Sequence, residues 1–258
     1  DKPSIAVLPF VDLSPAGDQE YFSDGIAEEI LNLLTRVGGL KVASRTSAFG
    51  FKGQEALGIP LIAEKLKVRH VLEGSVRKSG NTIRITAQII DAAEDQHLWS
   101  KTYDRELTTG NIFTIQDEIA TAIVEQLAGM IGDGAEQIDV GVKADTQNLD
   151  AYELYLEARA LFERRNGMTL PAIIEILESA VAIDPGFARA WEKLAASYSV
   201  SPSWNIIDRD YIALSNEAAK KAIELNPDLS LPYAVLGSNL TERIPAQFEL
   251  SLDYFAQA

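Results

Sequence analysis

At 258 residues with 47% apolar side chains, the chain has enough length and apolar content for two ordinary folded domains and is not a disordered polypeptide. Its net charge of −15, divided as −5 over residues 1–132 and −10 over residues 133–258, has the wrong sign for a nucleic-acid binder and offers no basic stripe to an anionic membrane. It has no cysteine, which excludes disulfides, thiolate nucleophiles and cysteine-based zinc sites, and no apolar run approaches the roughly 18 residues of a membrane span.

Ser4–Phe10 is a short apolar run ended by Pro9 and is expected to be a central strand. Val11–Glu20 reads as a loop, and Asp24 as the N-cap of a helix with Ile26, Ile30, Leu33, Leu34 and Val37 inward and Gly38-Gly39 at its end. A second strand is expected at Leu40–Arg45 and a second helix at Ile59–Leu66, with Pro60 in its first turn. Val68–Lys78 and Thr82–Asp91 flank Ser79-Gly80-Asn81 as a hairpin, because Ile83, Ile85, Ala87 and Ile89 alternate with Arg84, Thr86 and Gln88. His97–Leu107 adds a strand, and a helix over residues 112–131 closes the domain. The order is β-α-β-α-β-β-β-α, and one sheet with helices packed on it buries every apolar face. Residues 132–149 read as a linker, and Asp150 to Glu153 has capping-box spacing at the start of a helical domain.

That second domain is punctuated by Asp184-Pro185 and Asn226-Pro227, since proline removes an N–H and pushes the residue before it out of the helical region. After each stop the same order returns: Trp191, Leu194, Ala195, Tyr198, then Tyr233, Leu236, Gly237, Leu240. With Tyr155, Ala158 and Phe162 in an earlier segment, this resembles the tetratricopeptide repeat, in units 151–185, 186–227 and an incomplete 228–258. The stops lie 42 residues apart, so an insertion of about eight residues is expected around Ser201–Asp208.

The first domain, residues 1–131, resembles the TolB amino-terminal-like domain through Pro3–Phe10, Glu20–Gly25, Val71–Arg77, Arg84–Gln88, Leu98-Trp99 and Tyr103-Asp104. The fold class expected is therefore an α/β domain, an α+β sandwich in layout, followed by an all-α helical-hairpin solenoid. The resemblance implies a bacterial signalling protein with its output, an adenylate cyclase or winged-helix domain, upstream, and an extracytoplasmic location, with the cytoplasm as the alternative. The start without Met and the incomplete last repeat agree with a fragment. Any catalysis is expected in that upstream part.

No nucleophile elbow, Walker loop or dinucleotide fingerprint is present, and no cofactor or metal is expected. Asp24, Glu28 and Glu29 are read as helix-start acids, and His70 and His97 as structural residues. Arg69, Arg77, Arg84 and Arg105 are read as surface groups that pair with Glu73 or Asp104, and Trp204 as either a partner anchor or a packed side chain. The repeat resemblance implies a groove lined by the first helix of each unit, with Glu153, Arg189, Glu192, Ser199 and Ser238 touching a protein partner. The competing site is a small-ligand face at Arg84, Thr86 and Gln88, for a metabolite or nucleotide sensed by the α/β domain. Nucleic-acid binding and membrane insertion are not expected of this chain, and a homo-oligomer is compatible with it.

Overall fold

The computed structural model describes residues 3–131, 146–241 and 248–258, and the chain divides into two compact units, Asp1–Ala144 and Asp145–Ala258. The linker expected over 132–149 lies outside the described residues as far as 145.

The first unit contains β1 (Ser4–Val7), β2 (Val11–Asp12), α1 (Glu20–Thr35), β3 (Lys41–Val42), α2 (Arg45–Phe49), α3 (Ile59–Leu66), β4 (His70–Ser79), β5 (Thr82–Asp91), β6 (Gln96–Glu106) and α4 (Thr109–Ile131). The sheet order is β3-β1-β4-β5-β6, with β2 joined to β4 beyond the end of β1. β1 runs parallel to β3 and β4, whereas β4, β5 and β6 form an antiparallel meander. The alternation read in β5 puts Ile83, Ile85, Ala87 and Ile89 on the buried face. There they meet the apolar stripes of α1 (Ile26, Ile30, Leu34) and α4 (Ile112, Ile115, Ile119, Ile123), every one of them fully enclosed. Gly74 belongs to the close packing of β4 and Phe10: a Cβ there would stand 2.5 Å from the Thr86 carbonyl oxygen and 2.8 Å from the Phe10 ring. The other face is covered only in part, where Ile62 and Ala63 of α3 pack on Leu8, Val71 and Ala92, with Phe51 and Ile59 alongside.

Four expectations need correction. The first helix begins at Glu20 after Gln19, so Asp24 lies within the helix and is not its cap. The expected loop Val11–Glu20 opens with β2, and the expected strand Leu40–Arg45 shrinks to two residues because Ser44 caps α2, accepting a hydrogen bond from the Ser47 N–H. Asn148, not Asp150, caps the first helix of the second unit, its Oδ1 accepting from the Ala151 N–H at 3.1 Å.

The second unit is a row of helical hairpins: α5 (Leu149–Phe162), α6 (Leu170–Ile183), α7 (Ala188–Val200), α8 (Tyr211–Leu225), α9 (Ser230–Thr241) and α10 (Phe248–Gln257). The stops owe their shape to one device. Asp184 and Asn226 are both extended C-caps, and each side-chain oxygen accepts from the N–H two residues on, Gly186 at 2.9 Å and Asp228 at 3.1 Å. The insertion falls between α7 and α8, where Pro202–Trp204 makes a single 3-10 turn. Arg209 pins the far side of that loop to α6 by an ion pair with Glu178 at 2.6 Å and stands over the rings of Tyr198 and Tyr211. Gly237 lets α10 approach α9, since a Cβ would meet the Phe255 ring at 2.9 Å.

Candidate functional site

Two surfaces hold the residues singled out in the sequence. The first is a cleft of about 600 Å³ on the half-covered face of the sheet. Its floor is the outward side of β4 and β5, carrying Glu73, Ser75, Thr86 and Gln88. Leu8, Phe51, Ile59 and Ile62 supply an apolar wall, and Val11, Asp12 and Glu20 the opposite rim. Lys52 reaches from the loop after α2 to two carboxylates on α1, with Nζ 2.5 Å from Glu20 Oε1 and 2.5 Å from Asp24 Oδ2. Burial raises the pKa of Asp24, and the ammonium of Lys52 opposes that rise without cancelling it. Burial also acts upward on Asp12, but hydrogen bonds from Ser14 and Gln19, whose N–H groups each stand 2.8 Å from a carboxylate oxygen, outweigh it and hold this carboxyl below its usual value.

The expected ligand face divides here. Thr86 and Gln88 line the cleft, the first hydrogen-bonded to Thr102 across β6 and the second donating its amide to Glu73. Arg84 does not join them: it forms a bidentate pair with Asp104, at 2.6 and 3.0 Å, on the exposed surface. The four arginines do not form one group either: Arg77 and Arg84 stand opposite each other across the β4–β5 hairpin, but each of the four has its own partner. Arg69 pairs with Asp91 at the other end of the hairpin, Arg77 donates to the Leu13 carbonyl, and Arg105 lies 3.8 Å from Glu118. Lys52 and Phe51 were not singled out in the sequence; the glycines that bracket them, Gly50 and Gly53, are the signal that marks an exposed loop.

The second surface is the row α5, α7, α9, the first helices of the three hairpins. Glu153 sits half-buried on α5, Arg189 and Glu192 half-buried on α7, and Ser238 exposed on α9. The guanidinium of Arg189 lies 5.8 Å from the centre of the Tyr155 ring, which also carries Arg159 at 5.4 Å, while Lys193 and Arg165 stand over Phe162 at 4.9 and 4.1 Å. These aromatic-backed cations fix the start of the row. Ser199 turns inward, donating to Asn239 Oδ1 at 2.7 Å, and the Asn239 amide donates to Ser215 Oγ and Asn216 Oδ1 at 2.9 Å each. Trp204 packs its ring edge 3.7 Å from the position of a Cβ on Gly167 and remains 45% exposed, so it is both packed and accessible. Among the described residues no group of three or more His, Asp or Glu could hold a metal ion, and no helix is long and apolar enough to cross a membrane.

The sequence of this chain has counterparts among known proteins. Residues 1–122 match the second domain of HilA/YgeH-like transcriptional regulators. Similarity extends past this HilA/YgeH-like region into the helical unit: 226 residues, 86% of the chain, are 38% identical to a protein of Rhizobium meliloti named putative adenylate cyclase 3. The chain spans 38% of that relative's length. Both likenesses are to signalling proteins, and no catalytic domain is evident in this chain. Among solved structures, TolB from Acinetobacter baumannii aligns with 52% of this chain and 30% of its own at 18% identity and a TM-score of 0.34. MamA aligns with 58% of this chain and 71% of its own at 18% identity and a TM-score of 0.33.

Proposed function

We propose that this chain is a regulatory, protein-binding part of a bacterial signalling protein, in which the α5, α7, α9 face of the helical unit receives a segment of a protein partner. The output chemistry, cyclase or DNA-binding, would belong to another part of the longer protein. The observation that carries the reading is the placement of Glu153, Arg189, Glu192 and Ser238 on the first helices of successive hairpins, where none of them is fully buried and both signs of charge occur. A strip with both signs suits an extended or helical segment that pairs its own charges along it.

The test exchanges the charges of Arg189 and Glu192 together, as Arg189→Glu with Glu192→Arg. These residues are three apart on α7, so the exchange keeps an opposite-charge pair on the helix and leaves helical propensity almost unchanged. Chemical crosslinking in the source bacterium, followed by capture of the full-length protein, should recover a defined partner with the wild type. The exchanged protein, with an unaltered circular dichroism spectrum, should lose about tenfold or more of it. Equal recovery by both proteins would remove this face from consideration. A second reading, a small-ligand sensor, is favoured by the cleft in the α/β unit.

A further inference from the structure

The cleft of the α/β unit joins an apolar wall to a polar floor in a volume, about 600 Å³, within the range that small-molecule sites occupy. What enters it is constrained by charge. Asp12, Glu20 and Glu73 line it against, among the described residues, a single cation, Lys52, which is already bracketed by Glu20 and Asp24. Asp12 keeps its charge because two backbone N–H groups hold it. An anion would therefore meet a negative lining in a half-enclosed, weakly screening space. Glu73 lies differently from the other carboxylates. It is half-buried on the floor, and its partner there is the neutral amide of Gln88, a weaker donor than an ammonium group.

We propose that this cleft binds a small organic amine with a flat apolar body, the ammonium replacing the Gln88 amide at Glu73 and the body lying against Phe51, Ile59 and Ile62. This assignment covers two of the three residues of the expected ligand face, Thr86 and Gln88, and excludes Arg84 together with the anionic ligand that an arginine face would take. It is independent of protein binding by the helical unit, so either can fail without the other.

The probe is tryptamine, titrated calorimetrically into the full chain beside indole-3-propionate, which has nearly the same shape and the opposite charge. Tryptamine should bind saturably at one site with a dissociation constant below about 5 mM, and indole-3-propionate about tenfold more weakly or not at all. Glu73→Gln, which keeps the hydrogen-bonding shape and removes the charge, should weaken tryptamine about tenfold. Ser75→Trp, which fills the floor, should abolish binding; if it does not fold, the Glu73→Gln result alone decides. Equal affinity for both probes, no saturable binding of tryptamine, or tryptamine binding unchanged in Glu73→Gln would each overturn the proposal. The last outcome also separates a site from a general attraction of cations to a chain of net charge −15.

Discussion

His70 is fully enclosed at the start of β4, with Nδ1 3.1 Å from the Ser4 carbonyl oxygen and no partner for Nε2 among the described residues. A carbonyl only accepts, so Nδ1 carries a proton. Burial lowers the pKa of His70 below 6.5, more strongly than the Ser4 bond and Asp91 raise it. Below pH 6.5 the unfolded chain therefore takes up a proton that the folded chain refuses. Stability is fully present above the unfolded value and falls, by at most about 1.4 kcal/mol per pH unit, until the folded value is reached. Urea unfolding at about pH 7.5 and about pH 5.5 should show this loss in the wild type and a smaller one in His70→Asn, which retains a donor near Ser4 but cannot titrate. Asp12 and Asp91, whose pKa values are lowered, lose their contribution only in more acidic solution, and Asp24 contributes equally to both proteins. Equal losses would show that His70 does not govern this window.

Helix α9 is joined to α8 and α7 by polar as well as apolar contacts, with Asn239 donating to Ser215 and Asn216 on α8 and accepting from Ser199 on α7. Asn239→Leu would leave those groups without their partner in a buried setting and should lower the unfolding free energy of the helical unit by about 1–3 kcal/mol in urea followed by circular dichroism. A change within about 0.5 kcal/mol would mean that the apolar contacts alone hold these helices together. Asn239 was legible only in hindsight: it is three residues from Leu236 and in phase with the buried side of α9, where Pro232, Val235 and Leu236 also lie. Elements with a long period were legible for a clear reason. The β4–β5 hairpin has ten residues per strand, with β5 alternating over most of its length, and the proline stops work through fixed backbone geometry. β2, β3 and α2 have two to five residues each, too few for a period to emerge, and are set by Ser44 capping and by pairing to β1 and β4. Asp24 looked like a cap because an acid before an apolar run usually is one; here its partner is Lys52, 28 residues away, which no local pattern reveals. The same limit hid the cleft, whose lining comes from six separate stretches of chain. The bidentate pair of Arg84 with Asp104, set by the β5–β6 register, agrees with its reading as a surface group paired across strands.

At the scale of the whole molecule the two units offer different chemistry, a half-covered sheet with a half-enclosed cleft and a row of hairpins whose first helices carry the residues of the proposed mixed-charge strip. The central claim is that the strip receives a protein. The most direct measurement places the photocrosslinking residue benzoylphenylalanine at Ser238, exposed on α9, and separately at Lys220, exposed on α8, in the full-length protein in its own cell. Irradiation should yield a discrete heavier species from position 238 and none from position 220, because only the first lies on the row α5, α7, α9. Adducts of equal yield from both positions, or none from 238, would contradict the account.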